Sequence, residues 1–154
     1  MAAAEAAQGK GAALTYEPAA LPDGTLAGAR PGSGNFSFVV KGRSAHAGRN
    51  PEDGRNAIVA ASELALRLAM SKTPGLSVNP ARIDGGGPNN VVPDLAVLRV
   101  NLRPRTRDDE EIANRLIAKA LDETAAAHQV HIEAHGGFAR GDIGLCRPRG
   151  HAGD

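Results

Sequence analysis

Directly after an alternating apolar stretch the chain reads Arg43-Ser44-Ala45-His46-Ala47-Gly48, a histidine set among small residues. Nothing bulky shields such an imidazole on a loop. It can approach a ligand, donate a hydrogen bond to developing negative charge, or shuttle a proton. The same pattern also suits a surface histidine in a turn. A second segment, Gly85-Gly86-Gly87-Pro88-Asn89-Asn90-Val91-Val92-Pro93, carries glycines that permit close backbone approach, and Asn90 can point a side-chain amide into a pocket. No Lys-Ser/Thr pair follows and no helix starts there, which argues against phosphate binding; a plain flexible turn is the alternative. Arg103 closes an aliphatic strand on its polar side. It can grip a carboxylate through two parallel hydrogen bonds, or be solvated like Arg99, Arg105 and Arg107 nearby.

Other candidates have simpler explanations. His128, His131 and His135 have spacings that would align on a helix, yet they straddle a helix end and a strand, so a metal site is not expected there. Asp108, Asp109, Glu110 and Glu111 fall in the first turn of a helix, where acids suit the helix dipole. Glu17 is an isolated acid before a proline and by chemistry alone means little.

These residues must be held by regular elements, and the hydrophobic periods supply them. Phe36, Phe38 and Val40 alternate with Ser37, Val39 and Lys41, which predicts a strand over 35–41. Ala57, Ile58, Ala61, Leu64, Ala65 and Leu68 follow helical spacing and predict a helix from about Arg55 to Ser71, ended by Pro74 and Gly75. Leu76 to Ile83 reads as a second strand, with Pro80 best placed at an edge or bulge. Leu95 to Leu102 is a third strand, with Ala96, Leu98, Val100 and Leu102 on one face. Thr106 and Asp109 form a short capping box for a second helix to about His128, with Ile112, Leu116 and Ala120 aligned. Val130, Ile132 and Ala134 alternate as a fourth strand. The order strand-helix-strand-strand-helix-strand predicts an α+β fold: a two-layer α/β sandwich, a four-stranded mainly antiparallel sheet with two helices on one face.

Composition narrows the function classes. The chain has 154 residues, 42% of them hydrophobic, enough for one domain with a modest core built from Ala, Val, Leu and Ile, because aromatics make up only 3%. A formal net charge of +1 calls for neither nucleic acid nor an acidic membrane. The single cysteine, Cys146, excludes an internal disulfide and a multi-thiolate metal site. No apolar run approaches the roughly 20 residues that span a bilayer, and the Ala-rich start contains Glu5, so it does not read as a signal peptide. A cytoplasmic location follows as the default expectation.

The segments together resemble the M20 family of metallopeptidases, in particular its carboxypeptidase G2-like (glutamate carboxypeptidase) branch. The likeness runs from about Leu14 to Arg140. It rests on Tyr16-Glu17-Pro18, Gly32-Ser33-Gly34-Asn35-Phe36, Val39 to Gly48, Pro51, Gly54-Arg55-Asn56-Ala57, and Asn90-Val91-Val92-Pro93 with Arg103 thirteen residues beyond Asn90. The resemblance implies a two-domain amidohydrolase. Its catalytic domain binds two zinc ions, and a lid (dimerisation) domain is inserted into it. Glu17 matches a zinc-ligating carboxylate. His46 matches the lid histidine that stabilises the oxyanion, in many members reaching the partner subunit's site. Asn90 and Arg103 match substrate-binding residues, the arginine gripping a terminal carboxylate. The three lid residues are expected to converge on one patch, within a protomer or across a dimer.

The family's remaining metal ligands and its general base are not found in this chain. A catalytic zinc normally needs about three protein ligands, so the chain alone is expected neither to hold zinc tightly nor to hydrolyse peptides. The expected organisation is a catalytic-domain remnant and connector over 1–31, the lid over 32–137, and an irregular, disordered tail over 138–154, as in a truncated or frameshifted reading frame. Expected partners are a second copy of the chain and, in the complete enzyme, a small N-acyl amino acid or peptide, with no nucleic acid and no membrane. The alternative is a stand-alone dimerisation or small-ligand-binding module without catalysis; an RNA-binding version lacks stacking aromatics on its central strands.

Overall fold

The structure, a computed structural model, describes residues 32–140. Glu17, the rest of the expected catalytic-domain remnant over 1–31, and residues 141–154 lie outside the described residues. Within them the order is β1 (Ser33–Lys41), a 3₁₀ turn (Pro51–Asp53), α1 (Ala57–Met70), β2 (Leu76–Gly85), β3 (Leu95–Pro104), α2 (Arg107–His128) and β4 (His131–Arg140). The four strands form one fully antiparallel sheet in the order β2-β3-β1-β4, and both helices pack on the same face. The two-layer α+β sandwich expected from the sequence is the fold. No helix among the described residues is long and apolar enough to cross a membrane.

Period-two alternation sets the sheet's two faces. Phe36, Phe38 and Val40 of β1 and Ala96, Leu98, Val100 and Leu102 of β3 point toward the helices, and β1–β3 register pairs Phe38 with Leu98. The scarce aromatics are used together: Phe36 stacks on Phe38 at 5.9 Å and meets Phe138 edge-on at 5.3 Å. Phe138 can do so because β4 runs to Arg140, three residues past the boundary expected at 137.

The first helix starts where Asn56 accepts hydrogen bonds through Oδ1 from Ile58 N (3.0 Å) and Val59 N (3.1 Å), satisfying two orphan donors. Its inner face is Ala57, Ala60, Ala61, Leu64 and Leu68, in which the three alanines let the helix lie close to the sheet and the two leucines fill the core. In α2 the predicted capping box is present, with Thr106 Oγ1 accepting from Asp109 N and Asp109 Oδ2 accepting from Thr106 N, both 3.1 Å. The buried stripe of α2 differs from expectation: it is Ala113, Ile117, Ala120 and Thr124, while Ile112 and Leu116 flank it half-buried. Pro80 sits on the edge strand β2, where the register with β3 shifts between Pro80 and Arg82, as a residue without an N–H requires.

Candidate active-site lid

The loop carrying His46 is built by backbone pairing across the chain. Beyond β1, Arg43 N donates to Arg55 O (3.0 Å) and Arg55 N to Arg43 O (2.8 Å). Gly42 makes this closure possible, because a Cβ there would stand 1.9 Å from Arg55 O. The loop then pairs with the segment ahead of β3: Val92 N donates to Ala45 O and Ala47 N to Asn90 O, each at 2.9 Å. His46 and Asn90 are thereby brought side by side, both exposed, on adjoining turns.

The imidazole has a defined orientation. Its Nδ1 accepts from Gly48 N at 3.1 Å, so the neutral ring carries its proton on Nε2. With Nδ1 engaged, Nε2–H is the ring's remaining donor, and Asn90 on the neighbouring segment carries a second exposed amide donor of the kind that can steady a developing oxyanion.

Arg103 is elsewhere. It lies near the C-terminal end of β3, on the sheet face that the helices leave open, opposite Ser77 of β2. Eight residues of β3 separate it from Leu95, about 26 Å at ~3.3 Å per residue, and Asn90 lies before Leu95. The expected convergence of His46, Asn90 and Arg103 therefore does not occur within one protomer. A strand holds its two ends apart.

At the Arg103 end, a cleft of about 380 Å³ is lined by Lys72, Thr73, Ser77, Arg103 and Arg105 among others. None of its three cations has a carboxylate ion-pair partner among the described residues. Arg103 Nε donates to Asn101 Oδ1 at 3.1 Å. Asn101 was open to sequence reasoning, since it lies two residues before Arg103 and so on the same strand face.

The other three histidines among the described residues serve other ends. His128 joins α2 to α1 through a 2.5 Å contact with Glu63, which also binds Arg67. The His128 hydrogen bond, followed by that of Arg67, holds the Glu63 carboxyl below its usual range. His131 and His135 flank Glu133 on the open face, where the Lys41 ammonium at 2.6 Å lowers the Glu133 carboxyl. Among the described residues there is no group of three or more His, Cys, Asp or Glu placed to hold a metal ion.

The described residues form one antiparallel sheet backed by two helices, with His46 and Asn90 on loops at one end and Arg103 near the other. Residues 28–129 match the family model of the peptidase dimerisation domain, and the chain belongs to the M20 peptidase family, as that domain. It is 34% identical over 122 residues to indole-3-acetyl-aspartic acid hydrolase of Enterobacter agglomerans, covering 73% of this chain and 27% of that protein. It is 32% identical over 114 residues to carboxypeptidase G2 of Pseudomonas sp. (strain RS-16), covering 73% and 26%. Among solved structures, the aminobenzoyl-glutamate utilization protein from Klebsiella pneumoniae superposes with a TM-score of 0.61 at 30% identity, covering 81% of this chain and 34% of that one. The chain thus spans about a quarter to a third of the length of these relatives.

Proposed function

We propose that this domain is the lid of a dimeric hydrolase of N-acyl amino acids, working on two active sites at once. His46 and Asn90 serve the partner subunit's substrate, and Arg103 serves the substrate of its own subunit. The separation of the two polar patches along β3 carries this reading, since one small substrate cannot touch both ends of a strand about 26 Å apart. Nε2–H of His46 and the Asn90 amide would steady the negative charge on the carbonyl oxygen under attack, and Arg103 would take the substrate's carboxylate. The cationic cleft around Arg103 fits an acidic amino-acid portion, as do the aspartate and glutamate in the relatives' names. Zinc chemistry, where the family resemblance implies it, belongs to residues outside the described domain.

The dimer surface we assign lies along α1 and the outer edge of β2. Val59, Leu66 and Met70 expose 50%, 64% and 83% of their surface on α1, and Ile83 on β2 exposes 39% although it faces the helix layer. Such a stripe beside an open strand edge favours burial against a second copy.

The test grafts this domain into carboxypeptidase G2 in place of its own dimerisation domain and mixes two inactive variants, His46→Ala and Arg103→Ala. In mixed dimers one site of the two regains both groups only when they come from different subunits. Activity should then recover to about one quarter of the unmutated graft, from statistical pairing of twofold dimers. No recovery, with mixed dimers verified by mass, refutes the split assignment.

A further inference from the structure

Asn35, Asn101 and Arg103 share the open face of the sheet. Asn35 and Asn101 are directly opposed across β1 and β3, and Arg103 is the next residue of β3 on that face. Asn101 Nδ2 donates to Asn35 Oδ1 at 2.8 Å and to Gly34 O at 3.1 Å, with Ser33 Oγ further off at 3.5 Å. A backbone carbonyl can only accept, so the NH₂ end of the Asn101 amide is committed to β1. Its oxygen must turn the other way, where Arg103 Nε donates to it at 3.1 Å.

We infer that Asn101, itself oriented by Asn35 and Gly34, is a positioning residue that occupies Nε of Arg103 and so presents the two terminal guanidinium nitrogens to a ligand carboxylate. A guanidinium has two forks, one that includes Nε and one made of the terminal nitrogens alone. With Nε engaged, only the terminal fork is left for two parallel bonds. The amide does this without charge, so it steadies the arginine and leaves its attraction for an anion intact. A carboxylate in the same place would compete with the ligand. The inference rests on the proposed role of Arg103 as the carboxylate-binding group.

The test uses the full ¹⁵N-labelled chain, with N-acetyl-L-glutamate as probe, and follows the Arg103 Nε–Hε signal, assigned by its loss in Arg103→Ala. The wild-type signal should exchange slowly with water and shift on titration. Asn101→Ala should speed that exchange and weaken probe binding roughly tenfold, the effect of about 1.4 kcal/mol. Asn101→Asp should keep the exchange slow yet bind the probe more weakly still, a separation that a merely structural role does not produce. If Asn101→Ala fails to fold by circular dichroism, Asn35→Ala takes its place and should weaken binding several-fold. Unchanged exchange and affinity in these variants, with binding lost in Arg103→Ala, overturns the positioning role alone. Wild-type affinity in Arg103→Ala overturns the proposed role of Arg103 and this inference with it.

Discussion

Replacing Gly42 with alanine tests how the His46 loop is held. The new Cβ would lie 1.9 Å from Arg55 O, where ordinary contact begins at 3.4 Å, so the Arg55 backbone must retreat by about 1.5 Å. The bond from Arg43 N to Arg55 O, now 3.0 Å, would stretch beyond hydrogen-bonding range. Its companion from Arg55 N to Arg43 O would follow, and the bond from Gly42 N to Asp94 O would be strained. At about 1 kcal/mol each, the loss is roughly 2–3 kcal/mol, or a fall in Tm of roughly 10 °C or more for a domain of this size. Thermal melting by circular dichroism measures the fall, and amide hydrogen exchange locates it. Protection should drop first at Arg43 and Arg55, then at Ala47 and Val92, the donors that fix the His46 turn against the Asn90 segment. An alanine variant that melts within about 2 °C of wild type with those amides still protected refutes the reasoning, because it would mean that the loop closes without this close approach.

Two further perturbations address the helix layer. Leu64 is fully buried in the core, so Leu64→Ala should cost about 2–5 kcal/mol in urea denaturation; a loss below about 1 kcal/mol would mean that the helix collapses onto the sheet to refill the space. Glu63, whose carboxyl is lowered by His128 and then Arg67 from its ordinary 4.5, contributes stability that is fully present above that value and lost as pH falls through its lower folded value. The stability difference between wild type and Glu63→Gln should therefore be constant from pH 5 to 6 and shrink steadily toward pH 3; a difference that stays flat to pH 3 contradicts the assignment.

The fold was legible because its strongest signals are local. In β3, branched or long aliphatic residues at 98, 100 and 102 alternate with polar ones, and no other arrangement buries one set without the other. The inner face of α2 is offset from the stripe the sequence suggests: Ile112 and Leu116 dominate any hydrophobic count, yet Ala113, Ile117 and Thr124 join Ala120 in the packed layer. Periodicity alone puts the start of α1 near Arg55 without naming a cap, although Asn56 before an alanine-rich run is a recognised start signal. The site was legible as residues and not as geometry. His46 and Asn90 meet through backbone bonds between loops far apart in sequence, which no period reveals. The remoteness of Arg103 could have been read, since an extended strand separates it from Asn90 by its own length.

The irregularities of the two outer strands have a consequence for assembly. Pro80 and the register break beside it divide the free side of β2 into short runs, and β4 carries glycines at φ 102° and 156° near its end. Neither border offers a long, straight ladder of vacant amides and carbonyls, the template on which identical chains polymerise into ribbons. A border interrupted in this way can accept one mate and then stop, which gives the proposed dimer protection against fibrous growth.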